Sequence, residues 1–243
     1  MGVDLLIQTL LPAFAAGAIG WWRPSAFWWL AGLAVWVTMG WASGWYWWPT
    51  KGTQWLPMVF WAVALAELLP GRWRRLLAPL LISGVFLLAL WPLLARYPEA
   101  LLGLVVFWLW QGWCEWRCGT DRAGLGFAAG GGAFAITVAI DGSLLLAQLA
   151  GALAVLAGFL WLSGLSRSVS DRQFTGAYVL LLTLCWQYIP MDWWIVALAL
   201  VPPWVEQGLR RKGAWRSSLA AIGAAVLVGA LSLWLVWPQD SLY

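Results

Sequence analysis

Histidine is absent from the 243-residue chain. That removes the commonest general base and the usual nitrogen ligand for metals and haem, so Ser–His or Cys–His nucleophile sites and His-ligated haem are excluded within this chain. Cysteine is nearly absent too, with only Cys114, Cys118 and Cys185. The first two are four residues apart and could share a helix face beside Glu115, but two thiols and one carboxylate make an incomplete metal site. Cys185 belongs to a different helix, and a disulfide is not expected on a reducing cytoplasmic face. We therefore expect structural thiols, no metal and no catalytic residues, in short a protein that is not an enzyme. Charge is equally scarce, at 10% of residues against 63% hydrophobic, where soluble domains carry about 25% and roughly 45–50%.

What is present is apolar length. A bilayer core about 30 Å thick takes roughly 20 helical residues per crossing. The apolar runs are continuous, so a barrel, which needs alternating polarity, does not fit. Charged and turn-forming residues divide the chain into ten blocks, at 4–22, 25–47, 54–70, 76–95, 99–116, 123–140, 143–165, 174–190, 192–207 and 218–237. The expected fold class is an all-α polytopic integral membrane protein of about ten transmembrane helices with short loops, forming one transmembrane domain over 1–243. The run at the N-terminus lacks the cationic region of a secretory signal peptide and is read as a mature helix.

The basic residues support this division. Cationic short loops stay cytoplasmic, and twelve of the fourteen Lys and Arg fall in the odd-numbered connections; only Lys51 and Arg96 do not. Both termini are thereby expected on the non-cytoplasmic side of a bacterial-type inner membrane. The net charge of +4 is a topology signal, and without a concentrated basic face nucleic acid is not an expected partner. An odd number of helices per half makes inverted halves at 1–120 and 121–243 a conceivable plan, but the two share no sequence match.

Tryptophan is abundant, with 25 residues, 17 of them by position 116. Trp21, Trp22, Trp28 and Trp29 at one side and Trp45, Trp47, Trp48 and Trp55 at the other fit interfacial belts, where indole rings meet acyl chains and the N–H meets water. Trp108, Trp110 and Trp113 sit deeper on the fifth helix and form a candidate surface for a partner or an apolar ligand such as a lipid, quinone or carotenoid. Gly124, Gly126, Gly130, Gly131 and Gly132, then Gly151, Ala154, Gly158, Gly223 and Gly229, imply close backbone packing; Gly126 and Gly130 have the GxxxG spacing.

A few polar features stand out within the apolar runs. Glu67 is the acid best placed inside the membrane; it either reaches the cytoplasmic headgroups or pairs with Arg74, or else serves as a protonatable gate or latch. Val201-Pro202-Pro203-Trp204-Val205-Glu206 should kink or stop the ninth helix, because a double proline removes backbone donors. Gln187, Tyr188 and Asp192, around Pro190, form a polar mouth on the outer side. Glu67, Pro202, Pro203, Glu206, Gln187 and Asp192 are thus the candidate transport or latch residues. Two functions fit these features. The first is an accessory or structural subunit of a larger membrane complex, contacting lipids and other membrane subunits. The second is a permease for a small neutral or lipid-like solute.

Overall fold

The computed structural model describes residues 2–117, 124–162, 171–189, 191–210 and 213–236. Cys118, Arg122, Arg167, Pro190, Arg211, Lys212, Asp240 and Tyr243 lie outside the described residues, as do the side chains of Arg72, Arg75, Cys114, Glu115, Trp116, Arg117 and Arg172. The expectation that Cys114 and Cys118 are structural thiols on one helix face therefore falls outside the described residues.

The described chain is helical throughout. Helices α1 (Gly2–Trp22), α2 (Phe27–Ser43), α3 (Leu56–Glu67), α4 (Gly71–Leu94) and α5 (Leu101–Arg117) are followed by α6 (Gly124–Ile140), α7 (Leu144–Leu162), α8 (Asp171–Tyr188), α9 (Trp193–Leu198), α10 (Val201–Leu209) and α11 (Ala214–Val236). Every apolar block contains a helix, but among the described residues only four are long and apolar enough to cross a membrane. These are Pro24–Ser43, which adds the short 3-10 turn before α2, then Leu76–Leu94, Leu144–Leu162 and Ala214–Val236, with mean hydropathies of 1.2, 2.2, 2.1 and 2.4.

Several boundaries differ from those expected, each for a local reason. The second helix stops at Ser43 because Gly44 takes a positive φ of 94°, which an L side chain resists. Residues 44–51 then form a loop instead of further helix, held by Trp36 Nε1 donating to the Tyr46 carbonyl at 3.2 Å and Tyr46 Oη donating to the Gln54 carbonyl at 3.1 Å. The third helix ends at Glu67 and the fourth begins at Gly71, because Pro70 is extended (φ −67°, ψ 144°). The arginine-bearing segment 72–75 is therefore the first turn of α4 and not a loop. The ninth block is two helices, broken at Ala199 and Leu200.

Helix α8 is the axis of the molecule. Every residue from Phe174 to Cys185 is buried, and α3, α4, α5, α6, α7 and α9 all pack against it. Aromatic rings join the helices around it in a continuous chain: Trp28 to Phe60 (6.1 Å between centroids), Phe60 to Phe174 (5.9 Å), Phe174 to Phe127 (5.6 Å) and Phe127 to Tyr178 (5.2 Å). Trp28, expected in the interfacial belt, is a core residue at 2% exposure, whereas Trp22, Trp47 and Trp48 are 88%, 95% and 73% exposed. A residue in the first turn of α2 can face either lipid or partner, and here Phe27 and Phe60 pack on the indole in the interior.

The small-residue helices pack as their composition requires. Gly124 lies against Ala157 and Trp161 of α7, Gly131 against Ala154, and Gly229 of α11 against Ala133 of α6. Gly132 and Gly223 face open space.

Candidate functional site

The break between α9 and α10 follows from the double proline. In a continuous helix the carbonyls of Leu198 and Ala199 would accept from the N–H groups of residues 202 and 203, but both are proline and have none. The chain closes one turn with Leu200 N–H donating to Ala197 O at 3.1 Å, then resumes with Trp204 N–H on Leu200 O at 3.2 Å. The prolines thus occupy the first turn of α10, where missing donors cost least. The stranded Ala199 carbonyl accepts from the Tyr178 hydroxyl of α8 at 3.0 Å, in a wholly buried bond.

The expected GxxxG pair faces this break. A Cβ on Gly126 would lie 2.5 Å from Pro203 Cα, and one on Gly130 would lie 3.2 Å from Pro202 Cγ. So α10 lies against α6 with almost no intervening side chain. One turn further along, Glu206 is 2% exposed and its Oε2 accepts the Gly126 N–H at 2.5 Å. That N–H is one of the donors at the start of α6 that have no partner within the helix, so the carboxylate caps α6 from a neighbouring helix. Pro202, Pro203 and Glu206 therefore form one junction with Gly126, Gly130 and Tyr178.

The other candidates lie elsewhere. Glu67 Oε2 accepts from Arg74 Nη1 at 2.7 Å, with the side chains 23% and 40% exposed, across the Pro70 turn that links α3 to α4. The three deep tryptophans do not share one face. Trp108 is 43% exposed and donates to Ser83 Oγ of α4 at 3.0 Å. Trp110 is buried against Phe127, and Trp113 contacts Trp204 of α10 at 5.9 Å. Spacing explains this: 110 and 113 are neighbours on a helix, while 108 and 110 point nearly apart.

Gln187 and Tyr188 stand at the end of α8, with Asp192 exposed beyond it. Of these three, Tyr188 lines a cavity of about 320 Å³, together with Thr50, Lys51, Gly52, Thr53, Pro92, Ser143, Leu145 and Leu146. Asp141, in the turn between α6 and α7, has its carboxyl held above the usual carboxylate range, first by burial and then by the charge of Asp192. Its Oδ2 is buried without a hydrogen-bond partner among the described residues. A second hollow, of about 300 Å³, is an apolar groove between α1 and α2, lined by residues including Leu11, Ala15, Ala16, Leu30, Ala34 and Trp41.

Sequence reasoning missed Lys51 and Ser143 as lining of the outer cavity, because they come from two connections far apart in the chain. It also missed Tyr178. The signal for that residue was available: two adjacent prolines strand two carbonyls, and a buried carbonyl demands a donor. Among the described residues no group of three or more metal-ligating side chains occurs. Comparison of the chain with protein-family models, with curated proteins and with solved structures gave no match.

Proposed function

We propose that the chain is a ten-crossing membrane protein, its termini on the non-cytoplasmic side of a bacterial-type inner membrane, and that it is an accessory or structural subunit of a larger complex. The ten crossings rest on the alternation of basic residues. They take α9 and α10 together as the ninth crossing and add the 3-10 turn Gly52–Trp55 to α3. The short crossings are within what a bilayer accommodates by local thinning.

The observation that carries the subunit reading is the closure of the broken-helix junction. Broken helices in transporters leave backbone groups available to substrate. Here the Ala199 carbonyl is taken by Tyr178, the prolines rest on Gly126 and Gly130, and Glu206 is spent on α6. The rings of Phe60, Phe174, Phe127 and Tyr178 occupy the interior beside it. The surface, by contrast, offers the α1–α2 groove, whose small residues Ala15, Ala16 and Ala34 suit the close approach of a partner helix. The same apolar groove would take a lipid tail, quinone or carotenoid.

Purification of the full chain in mild detergent tests the reading. A stoichiometric membrane partner is expected, lost when Ala15→Trp fills the groove while the chain stays folded. A lone monomer or homodimer that moves a solute across proteoliposomes would overturn it. The second reading, a permease for a small neutral or lipid-like solute, is favoured by one feature, the cavity at the Lys51 end.

A further inference from the structure

The permease reading treats the cavity at the Lys51 end only as an opening, but its lining has a definite chemistry. Lys51 is exposed at the rim, and among the described residues no carboxylate lies within ion-pair distance of it. The loop that presents it is fixed. Gln54 is 7% exposed and its Oε1 accepts from Thr50 N–H (2.7 Å), Thr50 Oγ1 (3.1 Å) and Lys51 N–H (3.1 Å). The one hydroxyl proton of Thr50 is thereby used, so Thr50 holds the loop and does not serve as a donor to the cavity.

Three other hydroxyls line the same cavity with their protons unused. Thr53 Oγ1 and Tyr188 Oη have no hydrogen-bond acceptor among the described residues. Tyr188 comes from α8, yet a Cβ on Gly52 would lie 3.0 Å from its Oη, so the phenol stands directly over the backbone between Lys51 and Thr53. Ser143 Oγ accepts the Leu146 N–H at 3.4 Å, which leaves its own proton to donate. No carboxylate lines the cavity, and Pro92, Leu145 and Leu146 make the rest of its wall apolar. Asp141 and Asp192 stand near Ser143 and Tyr188 in the chain but outside the lining. Burial holds the Asp141 carboxyl toward its neutral form, which weakens its repulsion of an anion. One ammonium and three hydroxyl donors with no lining carboxylate fit an oxyanion.

We propose that this cavity binds the phosphodiester of an anionic phospholipid, its oxygens on the Lys51 ammonium and the Thr53, Ser143 and Tyr188 hydroxyls. The proposal rests on the membrane reading above, which puts this end of the chain at the outer headgroup layer. The cavity volume is at the lower end of the roughly 300–1,000 Å³ of small-molecule sites, which suits a headgroup. Free inorganic phosphate shares the oxyanion chemistry, and two features favour the lipid. Trp47 and Trp48, just before Thr50, and Trp91, next to Pro92, are all exposed, and indole rings prefer the headgroup layer. The apolar wall of Pro92, Leu145 and Leu146 suits the start of acyl chains and offers nothing to a free ion.

Native mass spectrometry of the full chain in detergent tests this with dioleoyl phosphatidylglycerol, dioleoylglycerol and inorganic phosphate as probes. One phosphatidylglycerol is expected to be retained about tenfold more strongly than dioleoylglycerol, which has the same acyl chains and no phosphate. Lys51→Met, at an exposed position, should bring the two lipids to parity. Thr53→Val and Tyr188→Phe keep the side-chain shape and should each lower the preference about threefold. Arg96→Met should leave it unchanged, because Arg96 is the other basic residue assigned to this side and does not line the cavity. A preference that survives Lys51→Met, or that Arg96→Met removes equally, would overturn the proposal. Inorganic phosphate bound with no preference between the two lipids would also overturn it, by assigning the cavity to the free ion. Maleimide labelling of a cysteine at position 51 from outside the cell tests the membrane reading separately, so lipid parity with position 51 still labelled counts against the site alone.

Discussion

Replacing Gly126 by alanine places a methyl group where α10 already lies. Its Cβ would stand 2.5 Å from Pro203 Cα, 2.7 Å from Pro203 N and 2.8 Å from Pro202 O, all backbone atoms that cannot rotate away. Ordinary contact needs about 3.5 Å, so α6 and α10 must separate by roughly 1 Å. Overpacking of this kind costs about 1–3 kcal/mol. The same displacement draws the Gly126 N–H off Glu206, and a buried hydrogen bond to a charged group contributes about 1.5–3 kcal/mol. Against this stands a gain of about 0.5–1 kcal/mol from replacing a helical glycine. The expected net loss is therefore about 2–5 kcal/mol. Gly132→Ala is the internal control, because it lies on the same helix with nothing within 4 Å of its Cβ; it should be neutral or slightly stabilising. Both variants would be followed by circular dichroism through an SDS titration in mixed micelles. Equal midpoints for Gly126→Ala and Gly132→Ala would refute the close α6–α10 contact and with it the capping role of Glu206.

Three further outcomes follow from the same geometry. Tyr178→Phe deletes the donor to the Ala199 carbonyl and should destabilise by about 1–3 kcal/mol in the same titration; an unchanged midpoint would mean that the stranded carbonyl has another donor. Glu67→Gln should change stability by less than about 1 kcal/mol, because the Glu67–Arg74 pair is substantially exposed, and a larger loss would point to a latch under load. Asp141 is bound more tightly to its proton in the folded chain than in the unfolded one, so its burial opposes folding at neutral pH and this cost falls as pH drops through its folded-state value. Infrared spectroscopy of the carboxyl band should show its titration moving down in Asp192→Asn, and no movement would remove Asp192 as a cause.

Much of the helical architecture was readable because bilayer-facing helices announce themselves by composition alone. The positions of Gly44 and Pro70 were visible too, yet their effect on boundaries was not. Whether residues 45–47 continue a helix depends on Tyr46 finding Gln54, a contact set by the loop's return. The double proline foretold a break, but where the orphaned carbonyl would find its donor depended on α8 lying alongside. Trp28 shows the limit of the belt argument, since an indole at a helix end satisfies the sequence pattern whether it faces lipid or Phe60. The outer cavity was legible only in Tyr188; Lys51 and Ser143 reach it through tertiary packing.

The orientation of the chain is most directly tested by cysteine accessibility in intact cells, with Cys114, Cys118 and Cys185 replaced and single cysteines placed at Lys51, Glu99, Asp192, Arg74 and Arg216. Ten crossings with outer termini predict that a membrane-impermeant maleimide labels positions 51, 99 and 192 from outside and reaches 74 and 216 only after permeabilisation. Labelling of 74 or 216 in intact cells, or protection of 51 and 192 together, would contradict the account.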